Sequence, residues 1–300
     1  MTMRILVTGA KGQLGWELLR QAPDKACDCV GIDIEEADLT DPVQVNRMVA
    51  DIRPQLLINA AAYTLVDRAQ TDPDSAFAVN REAVAHLAVA CAAASIPMVH
   101  ISTDFVFDGT QTDPYTENDP VAPLSVYGQS KAAGETAVRD SLDRHLIIRT
   151  AWLYGNHGNN FVKTMLRLGQ TKREIQVVSD QVGCPTYAAD LAAALLTLAE
   201  RLSRPADILW GTYHLCGAGE VSWYVFAQHI LQAGHRLGLV PAVAVTPIST
   251  PEYPTPAPRP AYSALACRKI DTNFGIACPP WEISLEKMLQ RLAQHPHEAH

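Results

Sequence analysis

The sequence is poor in the features that mark nucleic-acid-binding and membrane proteins. It has no run of basic residues, and 24 Lys and Arg against 32 Asp and Glu give a formal net charge of −8. Binding to phosphate backbones requires clustered positive charge, so nucleic acid is not an expected partner. No stretch reaches the roughly 18 consecutive apolar residues of a membrane-spanning helix, and the first apolar run is too short for a secretory signal. We expect a cytoplasmic protein without a membrane partner.

The cysteines also lack an organising pattern. There are 7 of them, an odd number, and none of their spacings is that of paired zinc ligands. We therefore expect reduced, buried thiols, as in a reducing compartment, and no metal held by cysteine.

What the first half of the sequence does contain is an alternation of short apolar runs and helical segments. With 300 residues, 48% of them hydrophobic, the chain can bury a large core. Five apolar runs predict strands, and they are Arg4–Thr8, Asp28–Asp33, Leu56–Asn59, Met98–Ser102 and Leu146–Arg149. Because these runs lack polar alternation, we expect them to be buried on both faces. The predicted fold class is α/β, a Rossmann-type doubly wound parallel sheet with helices on either side.

Helix signals complete this pattern. Asp41 and Asp72 each precede a proline, which is the arrangement of a capping acid before a first-turn proline. The alanine-rich run 76–94 predicts one helix that packs against the sheet. Further along the chain, helices are expected over 161–169, 188–202 and 222–233.

The second half also contains a proline-rich segment. Seven prolines lie from Pro241 to Pro260, and proline lacks the amide donor that a strand ladder needs. This segment is therefore predicted to be an extended loop. We expect residues 151–300 to form mainly a smaller α/β lobe, with some elements that return to the domain of residues 1–150.

Three glycines lie where the first predicted strand gives way to a helix. Gly9, Gly12 and Gly15 have the spacing GxxGxxG. Glycines at such a junction let the chain turn tightly, let backbone amides approach a pyrophosphate and let helix and strand pack closely. Asp33 ends the next predicted strand, where a carboxylate would bind a ribose hydroxyl. Residues 1–150 are therefore predicted to be an NAD(P)-binding domain.

Charged residues near the second strand bear on which dinucleotide is used. A carboxylate at Asp33 favours a free 2′-hydroxyl and repels a 2′-phosphate, and Glu35 and Glu36 add to the repulsion. Lys11, inside the glycine turn, is placed to attract such a phosphate. Because these signals oppose each other, we predict that the protein uses either NADPH or NADH.

A tyrosine and a lysine four residues apart form a second motif. Tyr127 and Lys131 would share one face of a helix, and Thr103 closes the fourth predicted strand, beside the crevice in which such sheets bind ligands. A phenol with a pKa of ~10 exchanges protons poorly at neutral pH. We expect the Lys131 ammonium to lower the pKa of Tyr127 and predict Tyr127, Lys131 and Thr103 as catalytic residues.

These motifs together resemble the extended short-chain dehydrogenase/reductases. The glycine turn, Asn59-Ala-Ala-Ala, Ser102-Thr-Asp and the Tyr–Lys pair occur in the order and at the separations of that family. The resemblance covers essentially the whole chain and is greatest to the reductases of nucleotide-linked 4-keto sugars. The segments that carry it are 12–17, 59–67, 102–109, 149–154, 158–161, 180–186 and 253–256.

The resemblance implies a set of binding residues. Those expected to contact the dinucleotide, from its pyrophosphate and adenosine to its nicotinamide ribose, are Gly9, Gly12, Gln13, Leu14, Gly15, Asp33, Asp38, Leu39, Ala62, Tyr63, Thr64, Tyr127 and Lys131. Those expected to face the sugar are Thr103, Asp104 and Trp152. Those expected to hold the diphosphate of the nucleotide sugar are Asn160, Lys163 and Arg259.

Some members of the family carry a divalent metal at a subunit interface, so the resemblance also implies a homodimer. Glu17 and Asp190 match the metal-binding positions, but the helix that contains Asp190 has no second acid before Glu200. Magnesium prefers several oxygen ligands, many of them water. We therefore expect at most a weakly bound Mg²⁺ and no tightly held metal.

The function that the resemblance implies is NAD(P)H-dependent reduction of a keto group. The substrate would be dTDP-4-dehydro-6-deoxy-L-mannose and the product dTDP-L-rhamnose, with Tyr127 as proton donor, Thr103 bound to the same oxygen and Lys131 tuning Tyr127. Two alternatives stay open. One is a nucleotide-sugar epimerase, dehydratase or other reductase of this fold, and the other is a non-catalytic NADP-binding regulatory subunit similar to methionine adenosyltransferase β. The presence of all three catalytic residues favours an enzyme.

Overall fold

A parallel sheet of six strands forms the centre of the structure, a computed structural model that describes residues 3–25, 27–203 and 208–295. The strand order is β2-β1-β3-β4-β5-β10. The strands are β1 Met3–Thr8, β2 Cys27–Ile32, β3 Leu56–Asn59, β4 Met98–Thr103, β5 His145–Thr150 and β10 Gly211–His214. All neighbours pair in parallel. The predicted α/β class and Rossmann-type sheet are confirmed, and the five predicted strands lie within one residue of their expected bounds.

Helices cover both faces of this sheet. They are α1 Gln13–Gln21, α2 Pro42–Ile52, α3 Val66–Ala69, α4 Pro73–Phe77, α5 Ala83–Ala94, α6 Val126–Ser141, α7 Phe161–Gly169, α8 Ala188–Leu202, α9 Trp223–Arg236, α10 Arg268–Phe274 and α11 Trp281–Gln294. Successive strand residues point to opposite faces. Ile5 and Val7 accordingly pack with α1, α8 and α10, whereas Leu6 packs with α2, α5 and α6.

The sequence predicts one helix over the alanine-rich run 76–94, but the structure shows an interrupted one. A π-helical turn, Ala78–Glu82, separates α4 from α5. This turn contains the buried Asn80, whose side chain accepts a hydrogen bond from the Tyr63 amide at 2.9 Å and donates one to the Tyr63 carbonyl at 3.1 Å. Such turns often occur at functional sites, and this one fixes the backbone at Tyr63.

The second half of the chain builds a core of its own and also returns to the central sheet. Its core lies between α7, α9 and α11, whereas β10 extends the sheet and α8 packs against α1. Helices α7 and α8 have the predicted bounds, and the third predicted helix runs somewhat longer, as α9. The short strands of the second half of the chain are β6 Leu153–Tyr154, β7 Glu174–Val178, β8 Val182–Gly183, β9 Thr186–Tyr187, β11 Val221–Ser222 and β12 Ala244–Ile248.

The proline-rich segment is not wholly a loop, which corrects the sequence prediction. Strand β12 contains Pro247 and pairs in parallel with β7. The pairing is possible because the sheet has only two strands, so each is an edge strand and a proline can direct its nitrogen away from the partner. Residues 253–263, which we call the strap, continue from this segment toward the central sheet.

The cysteines are free, as predicted, but not all of them are buried. All seven cysteines are free, and Cys27, Cys29 and Cys267 are partly exposed rather than buried. Cys216 Sγ and Cys267 Sγ lie 3.4 Å apart, a proximity that their separation in the sequence does not predict.

Within the three described ranges, no helix has the length and apolarity needed to span a bilayer.

Candidate active site

The glycine turn after β1 forms one wall of a cavity. Gly9 has a φ of +72°, and a Cβ there would lie 2.6 Å from the Ala61 amide nitrogen, so the turn requires glycine. Gly12 donates its amide to the Gly9 carbonyl at 3.1 Å and precedes the first residue of α1. A Cβ on Gly15 would lie 2.1 Å from the Gly9 oxygen, so Gly15 lets α1 pack against the turn. The free amides of the helix N-terminus suit a pyrophosphate.

The first cavity lies along the carboxyl ends of β1 to β5 and has a volume of about 700 Å³. The residues predicted to contact a dinucleotide line it, and they are Gly9, Gly12, Gln13, Leu14, Asp33, Asp38, Leu39, Ala62, Tyr63, Thr64, Tyr127 and Lys131. Gly15 is the exception, because it packs behind the turn. Two buried hydroxyls of the lining, on Tyr63 and Thr150, have no hydrogen-bond partner among the described residues. Buried polar atoms are rarely left unpaired, and the lining therefore fits a polar ligand such as a dinucleotide.

The acidic end of this cavity contains Asp33 and Lys11. The Asp33 carboxylate accepts hydrogen bonds from the amides of Lys11 at 2.8 Å and Ile34 at 2.9 Å. The Lys11 ammonium lies 2.8 Å from the Glu35 carboxylate. A 2′-phosphate would therefore compete with Glu35 for Lys11, whereas a 2′-hydroxyl can donate to Asp33 without breaking an ion pair. Asp33 and Lys11, which are predicted to act on the 2′ position in opposite directions, therefore both line the cavity.

The predicted catalytic residues lie together beside β4. Ser125 caps α6 by accepting a hydrogen bond from the Gly128 amide at 3.1 Å, and Tyr127 and Lys131 follow on one face of that helix. The Lys131 ammonium donates to the Ile101 carbonyl at 2.6 Å. Thr103 ends β4 and, like the other two, lines the first cavity. The structure therefore brings all three together.

The pKa of Tyr127 differs from the sequence prediction. Burial raises it to about 12, and hydrogen bonding with Thr103 lowers it by less than burial raises it. Burial also lowers the pKa of Lys131 to about 8. The prediction that Lys131 brings the phenol toward neutrality is wrong, because desolvation dominates and the ammonium is directed at the Ile101 carbonyl. Tyr127 is therefore protonated at neutral pH, which is the state that a proton donor requires.

A buried ion pair behind Lys131 was not predicted. Glu135 lies one turn after Lys131, and Arg149 donates to its two oxygens from Nε at 2.8 Å and from Nη2 at 2.7 Å. Burial raises the pKa of Glu135, but the hydrogen bonds and charge of Arg149, the Ser102 hydroxyl and the charge of Arg139 together outweigh burial, so the net shift is downward. Glu135 is therefore ionised, and its charge opposes the loss of a proton from Lys131. The four-residue spacing from Lys131 is the sequence signal that could have identified it.

Asp104 is a buried carboxyl group close to Tyr127. It is 2% exposed, and burial raises its pKa to about 6. Ser263 of the strap donates to Asp104 Oδ2 at 2.6 Å, and Thr103 donates to Oδ1 at 3.1 Å. The contact with Ser263, which the sequence does not predict, joins the strap to the end of β4. An ionised Asp104 can accept hydrogen bonds from sugar hydroxyls.

A second cavity of about 680 Å³ adjoins the first. Phe105 and Trp152 line both. Trp152 has a φ of +45°, and its ring stacks on that of Trp223 with centroids 3.4 Å apart and planes 5° from parallel. The other walls come from α7, β7 and the strap, and the strap residues among them are Tyr253, Thr255, Arg259, Pro260 and Ser263. A cavity that combines aromatic side chains with an arginine suits a nucleobase joined to phosphates.

Of the three residues predicted at the diphosphate, only Arg259 lines this cavity. Asn160 caps α7 by accepting from the Lys163 amide at 3.1 Å, and it donates to Gln13 Oε1 at 3.0 Å. The buried Lys163 ammonium donates to the Asn156 carbonyl at 3.3 Å. Neither Asn160 nor Lys163 is among the described residues that line either cavity. Their contacts support the local backbone, and their predicted role at the diphosphate stays a prediction.

The residues that match the family's metal site do not fit a cation here. Glu17 is fully buried, with Arg20 Nη2 at 2.7 Å and Arg291 Nη1 at 3.8 Å from its carboxylate. Asp190 lies 3.8 Å from Lys287. No cluster of three or more His, Cys, Asp or Glu side chains suited to a metal occurs among the described residues. Since hard cations need several oxygen ligands and these carboxylates face basic groups, we assign the metal no role.

The fold and the site together define a class of protein. A parallel sheet of this order, a glycine turn at its first crossover and a Thr–Tyr–Lys group beside the turn are those of an extended short-chain dehydrogenase/reductase, as predicted. The chain belongs to the family described as the RmlD substrate binding domain, which matches residues 3–294.

Two curated relatives and one solved structure share the name of one enzyme. A dTDP-4-dehydrorhamnose reductase of Sinorhizobium fredii is 44% identical over 292 residues, which cover 97% of this chain and 98% of the relative. That of Escherichia coli K12 is 38% identical over 295 residues, with coverage of 97% and 98%. The crystal structure of the Bacillus anthracis reductase in complex with NADP has a TM-score of 0.90 at 39% identity, and the match covers 97% of this chain and 100% of that one. At the level of these relatives, the predicted reductase activity and nicotinamide cofactor are confirmed.

Proposed function

We propose that the chain reduces the 4-keto group of dTDP-4-dehydro-6-deoxy-L-mannose to give dTDP-L-rhamnose, the last step of dTDP-rhamnose biosynthesis. The observation that carries this proposal is the grouping of Tyr127, Lys131 and Thr103 in the lining of the first cavity, which adjoins the second. A keto oxygen that becomes an alcohol needs a proton donor at this position. The adjoining cavities provide separate places for a dinucleotide and for a nucleotide-linked sugar.

The residues of the site divide the reaction between them. When bound, the reduced nicotinamide supplies a hydride to carbon 4 of the sugar. Tyr127 gives its proton to oxygen 4, and its high pKa keeps that proton in place until negative charge develops on the oxygen. Thr103 hydrogen-bonds the same oxygen, and Lys131 would hold the nicotinamide ribose.

The substrate is bound by residues from the linings of both cavities. Asp104 accepts hydrogen bonds from sugar hydroxyls, and Trp152 provides a flat surface between the two cavities. Arg259 binds the diphosphate, because a guanidinium forms two parallel hydrogen bonds with a phosphate. We propose that the cofactor is NADPH or NADH, with Asp33 and Lys11 acting on the 2′ position in opposite directions.

The test is an assay of NADPH and NADH oxidation with a panel of dTDP- and GDP-linked 4-keto sugars. We expect stoichiometric loss of reduced cofactor with dTDP-4-dehydro-6-deoxy-L-mannose and slower loss with the others. A protein that purifies with its cofactor and consumes none during turnover would instead be an epimerase or dehydratase. A protein that binds NADP without turnover and copurifies with another enzyme would be a regulatory subunit.

Further expectations remain proposals. We propose that residues 1–150 hold the dinucleotide and that residues 151–300 mainly hold the nucleotide sugar, with α8, β10 and α10 completing the first domain. We also propose that the protein is a homodimer. A measurement of its mass by sedimentation equilibrium tests this proposal. A cytoplasmic location is supported by the free state of all seven cysteines, which is usual in a reducing compartment.

A further inference from the structure

The guanidinium of Arg259 is held in one orientation by Asp67. Arg259 Nη1 donates to Asp67 Oδ1 at 3.0 Å, and Nη2 donates to Oδ2 at 2.8 Å. Nη1 also donates to the Ala257 carbonyl at 3.0 Å. The Ala257 amide in turn donates to Asp67 Oδ1 at 3.2 Å. Two parallel bonds from one guanidinium to one carboxylate fix its plane, which a single contact cannot do.

This ion pair links the strap to the chain segment that follows the lining of the first cavity. Asp67 lies in α3, shortly after residues 60–64, which line the first cavity. Arg259 lies in the strap, 192 residues further along the chain, and both residues line the second cavity. The pair therefore joins the loop beside the dinucleotide to the strap that closes over the place of the nucleotide sugar.

The contacts of Arg259 leave one edge of the guanidinium available. A guanidinium has five N–H bonds in a rigid fork. Two point to Asp67 and one points to the Ala257 carbonyl, so Nε–H and the second Nη2–H remain. These two bonds are parallel, and within the described ranges neither has a protein partner. Two oxygens of a phosphate could accept hydrogen bonds from this edge.

Stability alone does not account for the pair. The Arg259 and Asp67 side chains are 24% and 43% exposed, and ion pairs in contact with water contribute little to folding. Asp67 also does not occupy the edge that an anion would use. It takes the Nη1–Nη2 edge and therefore orients the guanidinium without blocking the adjacent Nε–Nη2 edge.

We infer that Asp67 is a positioning residue, which turns the Nε–Nη2 edge of Arg259 toward the diphosphate of the substrate and ties the strap across the second cavity. The inference rests on the proposed function, because that function supplies a substrate with a diphosphate. Asp67 acts through Arg259 and contacts neither the sugar nor the reacting atoms.

The experiment compares Asp67→Asn, Arg259→Ala and the double variant. We measure KM and kcat, and separately the affinity of the protein for dTDP and dTMP by calorimetry, which does not depend on turnover. We expect Asp67→Asn to raise KM and the Kd of dTDP by about fivefold to tenfold, as for loss of a charge-assisted contact, with kcat within about twofold. The Kd of dTMP should change by less. In the Arg259→Ala background, Asp67→Asn should have no further effect.

Two further variants separate this role from a structural one. Glu286→Gln breaks another arginine–carboxylate contact in the second half of the chain, with Arg236 Nη2 at 2.9 Å, and should leave KM unchanged. Asp67→Glu retains a carboxylate on a longer side chain and should give a KM between those of the wild type and Asp67→Asn. The melting temperature of each variant checks that it is folded.

Several results would overturn the inference. They are an unchanged or tighter Kd for dTDP in Asp67→Asn, an equal effect of that change with and without Arg259, and a wild-type protein that binds no dTDP. A wild-type protein that binds dTDP but does not oxidise NADPH would refute the proposed function alone, since the affinities would still test Asp67.

Discussion

The two cavities of this protein are built in different ways. The first is formed by residues at or just after the ends of parallel strands, so the sheet itself fixes Asp33, Thr103 and the glycine turn. The second is formed by α7, β7, Trp223 and the strap, which are held together by contacts between distant parts of the chain. We therefore expect the reaction at the sheet edge and the adjoining helix α6, and substrate recognition on the assembled segments. Substitutions at the first site should mainly change kcat or cofactor use, and those at the second should mainly change KM.

The largest effect should come from Tyr127. We expect Tyr127→Phe to lower kcat by roughly 100-fold or more, the usual scale for a lost proton donor, with little change in cofactor affinity. Steady-state kinetics and a cofactor titration measure the two quantities. Tyr213→Phe is the control, because Tyr213 is also buried but lies outside the lining of both cavities. Wild-type turnover in Tyr127→Phe would refute its role.

A comparison of two basic residues sharpens the assignment of the second cavity. Arg259→Ala should raise the KM for substrate by about tenfold, because charge-assisted hydrogen bonds contribute ~1.5–3 kcal/mol. Lys163→Gln should leave KM within about twofold and lower the melting temperature, because its ammonium binds the Asn156 carbonyl in the protein interior. Equal increases in KM for both variants would show that Lys163 also contacts the substrate. Neither change should alter the affinity for the cofactor.

The pKa of Asp104 predicts a dependence on pH. Since burial raises this pKa to about 6, the carboxylate is ionised above pH 6 and protonated below it. If the ionised form binds the sugar hydroxyls, kcat/KM should rise as pH increases through 6 and then level off, with a loss of about tenfold at pH 5. Asp104→Asn cannot titrate, so this acidic limb should be absent from its pH profile. An identical limb in the Asn variant would assign the titration to another group.

The smallest effect is expected at Asp33. Asp33→Ala should weaken the use of NADH more than that of NADPH, by several-fold, because a 2′-hydroxyl loses its partner whereas a 2′-phosphate loses a repelling charge. The ratio of the two kcat/KM values measures this preference. Glu36→Gln, which removes a neighbouring charge, should shift the ratio in the same direction by less. An equal loss with both cofactors would show that Asp33 does not contact the ribose.

The difference between the cavities also explains which residues the sequence predicts. Local rules define the first cavity, because a glycine turn follows one strand, an acid ends another and four residues separate Tyr127 from Lys131. All of its predicted residues except Gly15 lie in its lining. Gly15 obeys the same glycine pattern but serves the packing of α1.

Long-range contacts define the remainder, and no local pattern reports them. Lys163 has the right charge for a phosphate, but its direction is set by the cap of α7 and by burial. Asp67 and Ser263 gain their roles only when the strap returns to the central sheet. The pKa of Tyr127 depends on desolvation by the folded protein, so the Tyr–Lys spacing alone gives the wrong direction.

In the proposed reaction, a reduced nicotinamide bound in the first cavity would supply the hydride to the keto carbon while Tyr127 supplies the proton. The most direct test uses reduced cofactor labelled with deuterium at the transferable position of the nicotinamide, together with dTDP-4-dehydro-6-deoxy-L-mannose. We predict one deuterium on carbon 4 of the product for each cofactor oxidised, at a rate that Tyr127→Phe lowers by the same factor as kcat. Product without deuterium, or turnover without net oxidation of the cofactor, would contradict the account.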